Sequence, residues 1–251
     1  MKVATYNLHF GGSGKEKNHL DRLFSDSGAD IAFVQEAFDP KSYPVSYPIQ
    51  EAVWHSVENM NWGSGIVTRN IPIEEFPLPV FNGWVIAGRV FCEGQEILLV
   101  NVHNPSNKMT YLENLIAILD SIKELKYDNI IIGGDFNISL GSRLPSEPLK
   151  SNSEDRRGLA LLEGMGLIQA WRLMNPGMPL AQTLRWSKDP ALPFHIDCFF
   201  INKTLADRVT SCSVLLDPGW TGMSDHNPLA MEFSRLDSVQ GWSRWTPSSL
   251  T

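Results

Sequence analysis

The residues with the clearest chemical potential follow a buried strand in the segment 130–137. Ile130 to Ile132 predict that strand, after which two glycines lead to Asp135 and Asn137. Glycine permits a tight turn, and the i, i+2 spacing puts both polar side chains on one side if the chain stays extended. A carboxylate and an amide would then converge on one point. The alternative is an ordinary strand-to-turn junction, because Asp and Asn both tolerate turn geometry.

A second polar cluster, Asp225-His226-Asn227, precedes the predicted last strand. Histidine suits proton transfer or anion stabilisation near neutral pH, and it commonly needs a carboxylate to fix its tautomer. Asp197 is the candidate partner because it lies in an otherwise apolar run, where a charge must be paired or hydrogen-bonded. The alternative is a structural Asp197 held by backbone amides.

Three further strand-like runs end in residues that can bind metal or transfer protons. Asn7 and Glu36 each place a hard oxygen at a strand end, and His103 follows the same rule. Magnesium prefers such oxygens and keeps several waters, so one or two protein ligands are enough. Each residue alone would be interpreted as a solvated strand end. Together, strands that all end this way predict one shared site on a rigid scaffold.

Strand-like and helical segments alternate along the chain and must position these residues. Apolar residues at three- and four-residue intervals predict the helices, and a continuous stripe on the second helix indicates that it lies half buried on a sheet. We find no linker or repeat, so we expect one domain over residues 1–251, with a loop at 139–153 and a tail at 240–251. The predicted strands are Val3–Leu8, Ile31–Gln35, Gly65–Thr68, Trp84–Phe91, Ile97–Val102, Ile130–Gly133, Ile196–Ile201, Val209–Leu216 and Leu229–Phe233. The predicted helices are Lys17–Ser27, Thr110–Leu125 and Asp155–Met165, and the stripe is Leu112, Leu115, Ile116, Leu119 and Ile122.

Composition narrows the class of protein. The chain has 251 residues, of which 43% are hydrophobic and 20% charged, as in globular proteins, and it has no apolar run long enough to span a membrane. A net charge of −7 disfavours binding to nucleic acid through a broad basic surface, but a nuclease needs only local positive potential. Three cysteines without C-x-x-C spacing, and no visible export signal, predict a reducing, cytoplasmic setting. We also expect a monomer.

With these residues in place, the chain resembles the endonuclease/exonuclease/phosphatase superfamily, which shares the fold of pancreatic deoxyribonuclease and the exonuclease III type repair enzymes. The resemblance covers nearly the whole chain. Each matching segment is weak evidence for the family by itself, but the segments together are specific to it. It implies an α/β four-layer sandwich, in which two mixed β-sheets pack face to face between helices and the site lies at one rim. The segments, in family order, are Thr5-Tyr6-Asn7, Val34-Gln35-Glu36, Gly63-Ser64-Gly65-Ile66-Val67 before Arg69, Asn101-Val102-His103, Gly134-Asp135-Phe136-Asn137, His195-Ile196-Asp197 and Ser224-Asp225-His226-Asn227-Pro228.

The resemblance implies a divalent cation, Mg²⁺ with Mn²⁺ as a substitute. By this implication Glu36 binds the cation with help from Asn7 and Asp225. His9 departs from the family pattern, because the repair-type members carry an acidic ligand there and the pancreatic type carries arginine. Whether the site binds one metal ion or two therefore stays open.

The resemblance also implies catalytic roles. Asp135 activates or positions the attacking water, and Asn137 orients it. His226, paired with Asp197, contacts the scissile phosphate as a base or an electrostatic stabiliser. His103 protonates the leaving oxygen or steadies the phosphate. Histidine at this position, instead of the tyrosine of the repair enzymes, favours the pancreatic nuclease, sphingomyelinase and phosphatase branches.

Substrate contacts are predicted from basic and aromatic residues near the expected rim. Arg69, Arg185 and Lys188 could contact phosphate, or they could be solvated surface charges. Asn227 is assigned to the same group. Aromatic rings near the rim could stack on bases or simply pack the loops. These rings are Trp54, Trp62, Trp186 and Trp220.

The fold alone cannot choose the substrate. Our first hypothesis is a phosphodiesterase that acts on DNA or RNA, with water attacking the phosphorus. The second is a phosphatase or phosphodiesterase for a small molecule or lipid head group, of the inositol phosphate or sphingomyelin type. The third is a catalytically silent binding module, which would require the loss of an essential group.

Overall fold

The structure is a computed structural model of the 251-residue chain. It describes residues 1–12, 18–46, 49, 51–125, 127–141, 153–188, 192–216 and 218–235. Most of the predicted 139–153 loop, the predicted 240–251 tail and Lys17 lie outside the described residues.

The described strands match the predicted apolar runs and add several short or exposed ones. The strands are β1 (Lys2–Asn7), β2 (Ile31–Ala37), β3 (Glu51–Ser56), β4 (Gly63–Thr68), β5 (Ile73–Phe76), β6 (Val85–Cys92), β7 (Gln95–His103), β8 (Ile130–Asp135), β9 (Ile168–Gln169), β10 (Leu184–Arg185), β11 (Pro193–Phe194), β12 (Asp197–Ile201), β13 (Val209–Val214) and β14 (Leu229–Phe233). The predictions missed β3 and β5, each at one edge of a large sheet, and the two-residue strands β9, β10 and β11. Edge strands bury fewer side chains, so they lack a continuous apolar run.

Strand direction brings the polar strand ends to one edge. The first sheet has the order β13-β14-β1-β2-β4-β3, and the second has the order β5-β6-β7-β8-β12-β9. β1 and β2 are parallel, as are β7 and β8, so the carboxyl ends within each pair meet. β12 is antiparallel to β8 and begins at Asp197, directly opposite Asp135. The first residue of β12 therefore lies beside the last residue of β8.

The two sheets pack face to face and bury a core on both sides of the first one. In β1 and β2, alternate residues point to opposite faces, as the strand period of two requires. Val3, Ile31 and Phe33 belong to the core that includes the second sheet. Tyr6 and Val34 belong to a separate core beneath the first helix. The predicted α/β four-layer sandwich is confirmed.

The helices cover the outer faces of the sheets. Thr110 caps the second helix through a capping box with Glu113, which explains why this helix begins where it does. On its buried face Ile118 replaces the predicted Ile116, which is only half-buried. Within the described residues, none of the helices has the length and apolar character needed to cross a bilayer. The helices are α1 (His19–Ser27), α2 (Tyr111–Lys123), α3 (Ser153–Gly164), α4 (Ala170–Met174) and α5 (Lys203–Ala206).

A buried amide clamp joins the two sheets just below the polar strand ends. Asn101, on β7 of the second sheet, donates from Nδ2 to the carbonyl oxygens of Val34 and Gly65 at 2.9 and 2.8 Å. Its Oδ1 accepts a hydrogen bond from Gln35 Nε2 at 2.6 Å. Both strands contacted belong to the first sheet. The clamp therefore fixes the spacing of the sheets that carry the site.

The Asn101→Leu variant tests this clamp. It removes a hydrogen bond from each of two buried carbonyls and leaves the Gln35 amide with only Thr5 Oγ1 as its partner, so we expect the free energy of unfolding to fall by about 2 kcal/mol or more. Urea unfolding, followed by circular dichroism, measures the loss. Glu96→Ala, at an exposed position on the same strand, is the matched control. A loss below about 1 kcal/mol, which is ordinary for a point substitution, would mean that the clamp is dispensable.

Candidate active site

Residues from both sheets converge at one edge of the sandwich. Asn7 and Glu36 lie at the carboxyl ends of β1 and β2, in the first sheet. His103 and Asp135 end β7 and β8, in the second sheet. His226 lies in the loop before β14. The structure thus gathers the five predicted chain segments into one site, because β1, β2, β7 and β8 end at this edge and β14, antiparallel to β1, begins there.

Asp135 is the centre of the site and is almost fully buried. Its Oδ2 accepts a hydrogen bond from Asn7 Nδ2 at 3.0 Å. The same oxygen lies 3.9 Å from His103 Nε2 and 3.8 Å from His226 Nε2. Its Oδ1 accepts from the backbone N–H of Asn137 at 2.9 Å. A single carboxylate therefore lies within 4 Å of groups from three other segments of the chain.

His226 and Asp197 form a buried pair. His226 Nδ1 lies 2.9 and 3.1 Å from the two carboxylate oxygens of Asp197, and both residues are buried. The loop of His226 is tied to β1, because Ser224 Oγ donates to the Asn7 carbonyl at 2.8 Å and accepts from the His226 N–H at 3.0 Å. The carboxylate on Nδ1 leaves Nε2 to face Asp135.

Burial and neighbouring charges separate the pKa values of the three central groups. Burial and the nearby Asp197 raise the pKa of Asp135 to about 7. Burial opposes a charge on His226, but Asp197 and Asp135 outweigh it and raise its pKa to about 10. Burial and the charge of His226 lower the pKa of His103 to about 3. At neutral pH the site therefore holds one cationic and one neutral imidazole.

Glu36 lies at the entrance of the site in a constrained backbone conformation, with φ 49°. Its Oε1 is 3.3 Å from Asn7 Nδ2 and 3.6 Å from His103 Nε2. Its Oε2 accepts the backbone N–H of Phe10 at 3.0 Å. The carboxylate is thus held at the junction of the two sheets and beside Asp135.

Two groups of residues could hold a divalent metal. The ligand atoms of Asp135, Asp197 and His226 all lie within 4.8 Å of one another. Asp197 and His226 are already hydrogen-bonded to each other. A ligand set of nitrogen and oxygen atoms is typical of transition metals. Asn7 and Glu36 offer amide and carboxylate oxygens, which suit Mg²⁺.

Asp225, the third predicted metal ligand, is engaged by another side chain. Its Oδ1 lies 2.9 Å from His9 Nδ1, and both side chains are partly exposed. His9 is the position that departs from the family pattern, and the structure shows that its imidazole contacts Asp225. Asp225 could bind a metal beside Glu36 through its other oxygen, Oδ2, or through Oδ1 after releasing His9.

Asn137 is held in place by a residue that the sequence analysis did not select. Asn137 has φ 52°, and its Nδ2 donates to the Asn104 carbonyl at 3.0 Å. Asn104 is itself buried, and its Nδ2 donates to the carbonyls of Tyr111 and Phe136. The signal for Asn104 was its place directly after His103, at the end of the same strand.

Arg69, a predicted phosphate contact, lies away from the residues that converge at the site. Its backbone N–H donates to the Asp30 carbonyl at 3.0 Å, and Asp30 precedes β2. Glu36 is six residues farther along the chain, or roughly 20 Å in an extended strand. β4 is antiparallel to β2, so Arg69 follows β4 at the far edge of the sheet. Its guanidinium lies 5.3 Å from the Phe24 ring centroid.

Arg185 and Asn227 hold the histidine loop together. Arg185 donates to the Asn227 side-chain oxygen, to the Ser224 carbonyl and to the His226 carbonyl. Asn227 Nδ2 donates to the Gln182 carbonyl at 2.9 Å. Both polar atoms of Asn227 are therefore occupied. These two residues support the loop, and Arg185 uses three of its five N–H donors there, so its predicted contact with substrate through the others stays a prediction.

The tryptophans differ in their exposure to the site. Trp186, next to Arg185, is 38% exposed. The Lys188 Nζ lies over its ring, 5.3 Å from the ring centroid. Trp220 is fully buried, and Trp54 Nε1 donates to the Ala37 carbonyl, so these two rings pack the fold. Trp62 is also buried, 6.0 Å from the ring of His103.

The fold and the site together define a hydrolase of the nuclease and phosphoesterase type. The model of the Endonuclease/Exonuclease/phosphatase family matches residues 4–226. The chain belongs to this family, and the resemblance stated from the sequence is confirmed.

Several known proteins are similar to this chain. It is 26% identical over 228 residues to the Transposon TX1 uncharacterized 149 kDa protein of Xenopus laevis. The matched region covers 87% of this chain but only 17% of that protein. It is 24% identical over 280 residues to a DNA-(apurinic or apyrimidinic site) endonuclease of Arabidopsis thaliana, covering 91% of this chain and 74% of that protein. An AP endonuclease from Archaeoglobus fulgidus has the same fold, with a TM-score of 0.68 at 18% identity over 93% of this chain and 99% of that one.

Proposed function

We propose that this chain is a Mg²⁺-dependent nuclease, a single catalytic domain that hydrolyses phosphodiester bonds of DNA or RNA by in-line attack of water. The observation that carries the proposal is the position of Asp135, whose carboxylate contacts or faces Asn7, His103 and His226 within 4 Å. Membership of the family and the similarity to a DNA endonuclease support it.

Glu36 and Asn7 are the proposed ligands of Mg²⁺, with Mn²⁺ as a substitute. Glu36 supplies carboxylate oxygens at the junction of the sheets, and the Asn7 amide nitrogen Nδ2 lies 3.3 Å from its Oε1. The Asn7 Oδ1 accepts the His9 N–H at 2.9 Å, so Asn7 would share that oxygen with the cation or turn toward it. The bound cation would neutralise charge that develops on the phosphoryl oxygens. Glu36 is fixed by the Phe10 N–H, so its free carboxylate edge is oriented before any ligand arrives.

Asp135 is the proposed acceptor of the proton from the attacking water. The Asn137 N–H and Asn7 Nδ2 hold one oxygen each, so the carboxylate cannot rotate freely. A proton acceptor works best when its pKa lies near the working pH, and burial with Asp197 nearby raises the pKa of Asp135 to about 7.

The two histidines are assigned different tasks. His226 is paired with Asp197 and stays protonated, so we assign it to electrostatic stabilisation of the phosphate instead of to base catalysis. His103 is neutral, and its Nε2 faces the Glu36 and Asp135 carboxylates. It would donate a hydrogen bond to a phosphate oxygen and steady it. This choice disfavours the alternative in which His103 protonates the leaving oxygen.

A small-molecule or lipid-head-group phosphoesterase is the second candidate function. The observation in its favour is the position of the predicted basic contacts. Arg69 lies at the far edge, and Arg185 is engaged by the histidine loop. A substrate with a single phosphate needs fewer cationic contacts than a nucleic acid strand.

The test compares Mg²⁺-dependent hydrolysis of plasmid DNA, single-stranded RNA and bis-nitrophenyl phosphate, each with and without EDTA. A nuclease cleaves at least one nucleic acid, and EDTA abolishes the cleavage. If the nucleic acids stay intact while the small ester is hydrolysed, the second candidate is correct and the first is wrong. If none of the three is hydrolysed, both proposals fail.

The Glu36→Gln variant tests the metal assignment. Loss of the carboxylate charge should raise the Mg²⁺ concentration at half-maximal rate by on the order of 10-fold or more. Titration calorimetry with Mg²⁺ alone should show the same weakening without any substrate. Glu58→Gln, at an exposed position outside the site, serves as the control. Unchanged Mg²⁺ binding in Glu36→Gln would move the metal to the group of Asp135, Asp197 and His226.

A further inference from the structure

The ring of Phe10 stands exposed beside the candidate metal ligand Glu36. It is 56% exposed, although its own backbone N–H donates to Glu36 Oε2 at 3.0 Å. A single exposed phenylalanine is common on protein surfaces and needs no explanation by itself. Its position one hydrogen bond away from Glu36 separates this ring from the other exposed apolar side chains of the described residues.

The backbone that presents this ring is in an unusual conformation. His9, Phe10, Gly11 and Gly12 are consecutive and have φ of 56°, 54°, 80° and 95°. Glycine adopts such values freely, but a bulky aromatic residue adopts them only at an energetic cost. Strained residues next to an active site are often functional. A glycine at position 10 would adopt this conformation without strain, so the phenylalanine stands here against the local backbone preference.

Several hydrogen bonds hold the strained segment rigidly. Gly11 N–H donates to the Glu36 carbonyl at 2.5 Å, and the Tyr43 hydroxyl donates to the Gly11 carbonyl at 3.1 Å. His9 N–H donates to Asn7 Oδ1 at 2.9 Å. The backbone that presents the ring is therefore fixed by hydrogen bonds to two residues of the site, Asn7 and Glu36.

A series of aromatic rings supports Phe10 from below. The Phe10 ring packs edge-on against Trp62 with centroids 5.8 Å apart. Trp62 contacts Trp84 at 5.4 Å, and Trp84 contacts His103 at 4.7 Å. Trp62 is buried and Trp84 is half-buried. Phe10 is thus the solvent-exposed end of a ring series that begins at the catalytic candidate His103.

We propose that the Phe10 ring stacks on an unpaired nucleobase next to the scissile phosphate. This inference rests on the proposed nuclease function and names its substrate class. The ring belongs to the residue whose N–H is hydrogen-bonded to Glu36, so its flat apolar face suits a base attached to the nucleotide being cleaved. Aromatic side chains can stack on any of the bases. A base inside a duplex is already stacked on both faces, so the site prefers strands with unpaired nucleotides.

The experiment uses a short homothymidine oligonucleotide, alone and paired with its complement, so that every scissile phosphate has the same neighbour. Base stacking on an aromatic ring is worth about 1–3 kcal/mol, so Phe10→Ala should raise KM for the single strand by about 5-fold to 150-fold. kcat and the KM for the duplex should change little. Phe10→Trp should keep the wild-type KM. Phe91→Ala is the control, since this ring is 53% exposed at the far end of β6.

A second variant separates stacking from a structural role. Phe10→Gly relieves the strained backbone, so its Tm should not fall below that of the wild-type protein, while its KM for the single strand should rise as in Phe10→Ala. A marked loss of Tm together with a loss of kcat would mean that the ring is structural, and the inference would be wrong.

The remaining outcomes distinguish this inference from the proposed function. If the wild-type protein cleaves plasmid duplex but not the single strand, or if Phe10→Ala affects both equally, the nuclease proposal survives and the stacking inference fails. A KM for the single strand within about twofold of wild type, too small for a stacking contact, also overturns it. If no nucleic acid is cleaved, both fail.

Discussion

The Asp135→Asn variant is expected to hydrolyse a phosphodiester about a thousandfold more slowly than the wild-type protein, within the range typical for loss of a general base. Asparagine keeps the shape of the side chain and can still accept one of the hydrogen bonds from Asn7 and Asn137. It cannot accept a proton from water at neutral pH. The measurement is kcat and KM for whichever substrate the wild-type protein hydrolyses.

Stability gives the second readout for this variant. Burial and the nearby Asp197 raise the pKa of Asp135, which means that the ionised carboxylate disfavours the folded state. Removing that charge should therefore leave Tm unchanged or higher while activity falls, an exchange often found at active sites. Asp120→Asn, on the exposed face of α2, is the control. A variant that keeps more than about a tenth of the wild-type rate would show that Asp135 is not the proton acceptor.

The pair of His226 and Asp197 should behave as one unit in a double-substitution cycle. We expect His226→Gln and Asp197→Asn each to lower kcat/KM by on the order of 10²-fold to 10⁴-fold, because each change removes the positioned cation beside the phosphate. The combined variant should lose little more than the more damaging single change, since residues that act as a unit are not additive. The measurement is kcat/KM for all four proteins under one condition.

The control for this cycle is His55→Gln, because His55 pairs with Glu75 at 2.8 Å on the exposed β3. Losses that multiply in the combined variant would contradict the pairing and would assign the two residues independent roles. A single change without effect on kcat/KM would remove that residue from the mechanism.

Much of the fold can be read from the amino-acid order because buried strands are continuous apolar runs. Two such runs, Ile130 to Ile132 and the one that ends at Ile201, were predicted as strands, and both lie inside the second sheet as β8 and β12. The edge strands β3 and β5 escaped this reasoning, since few of their side chains are buried. β13 is also an edge strand, and its segment was predicted as Val209–Leu216, so a position at the edge does not by itself prevent a prediction.

The composition of the site was also predictable, for a local reason. Asn7, Glu36, His103 and Asp135 lie at the ends of apolar strands, and a charge inside an apolar run, such as Asp197, must be satisfied. This reasoning predicted the partnership of Asp197 with His226, which the structure places 2.9 Å apart. The chemical roles of these residues stay proposals until the variants are measured.

Strand direction, in contrast, is decided only by the tertiary structure, because it depends on pairing between distant segments. β4 is antiparallel to β2, and this carries Arg69 to the edge opposite Glu36. The same long-range packing brings Asp225 into contact with His9. It also places the Phe10 ring against Trp62, in the series of rings that ends at His103. Local sequence specifies which side chains end each strand, whereas the edge at which they meet follows from how the strands pair.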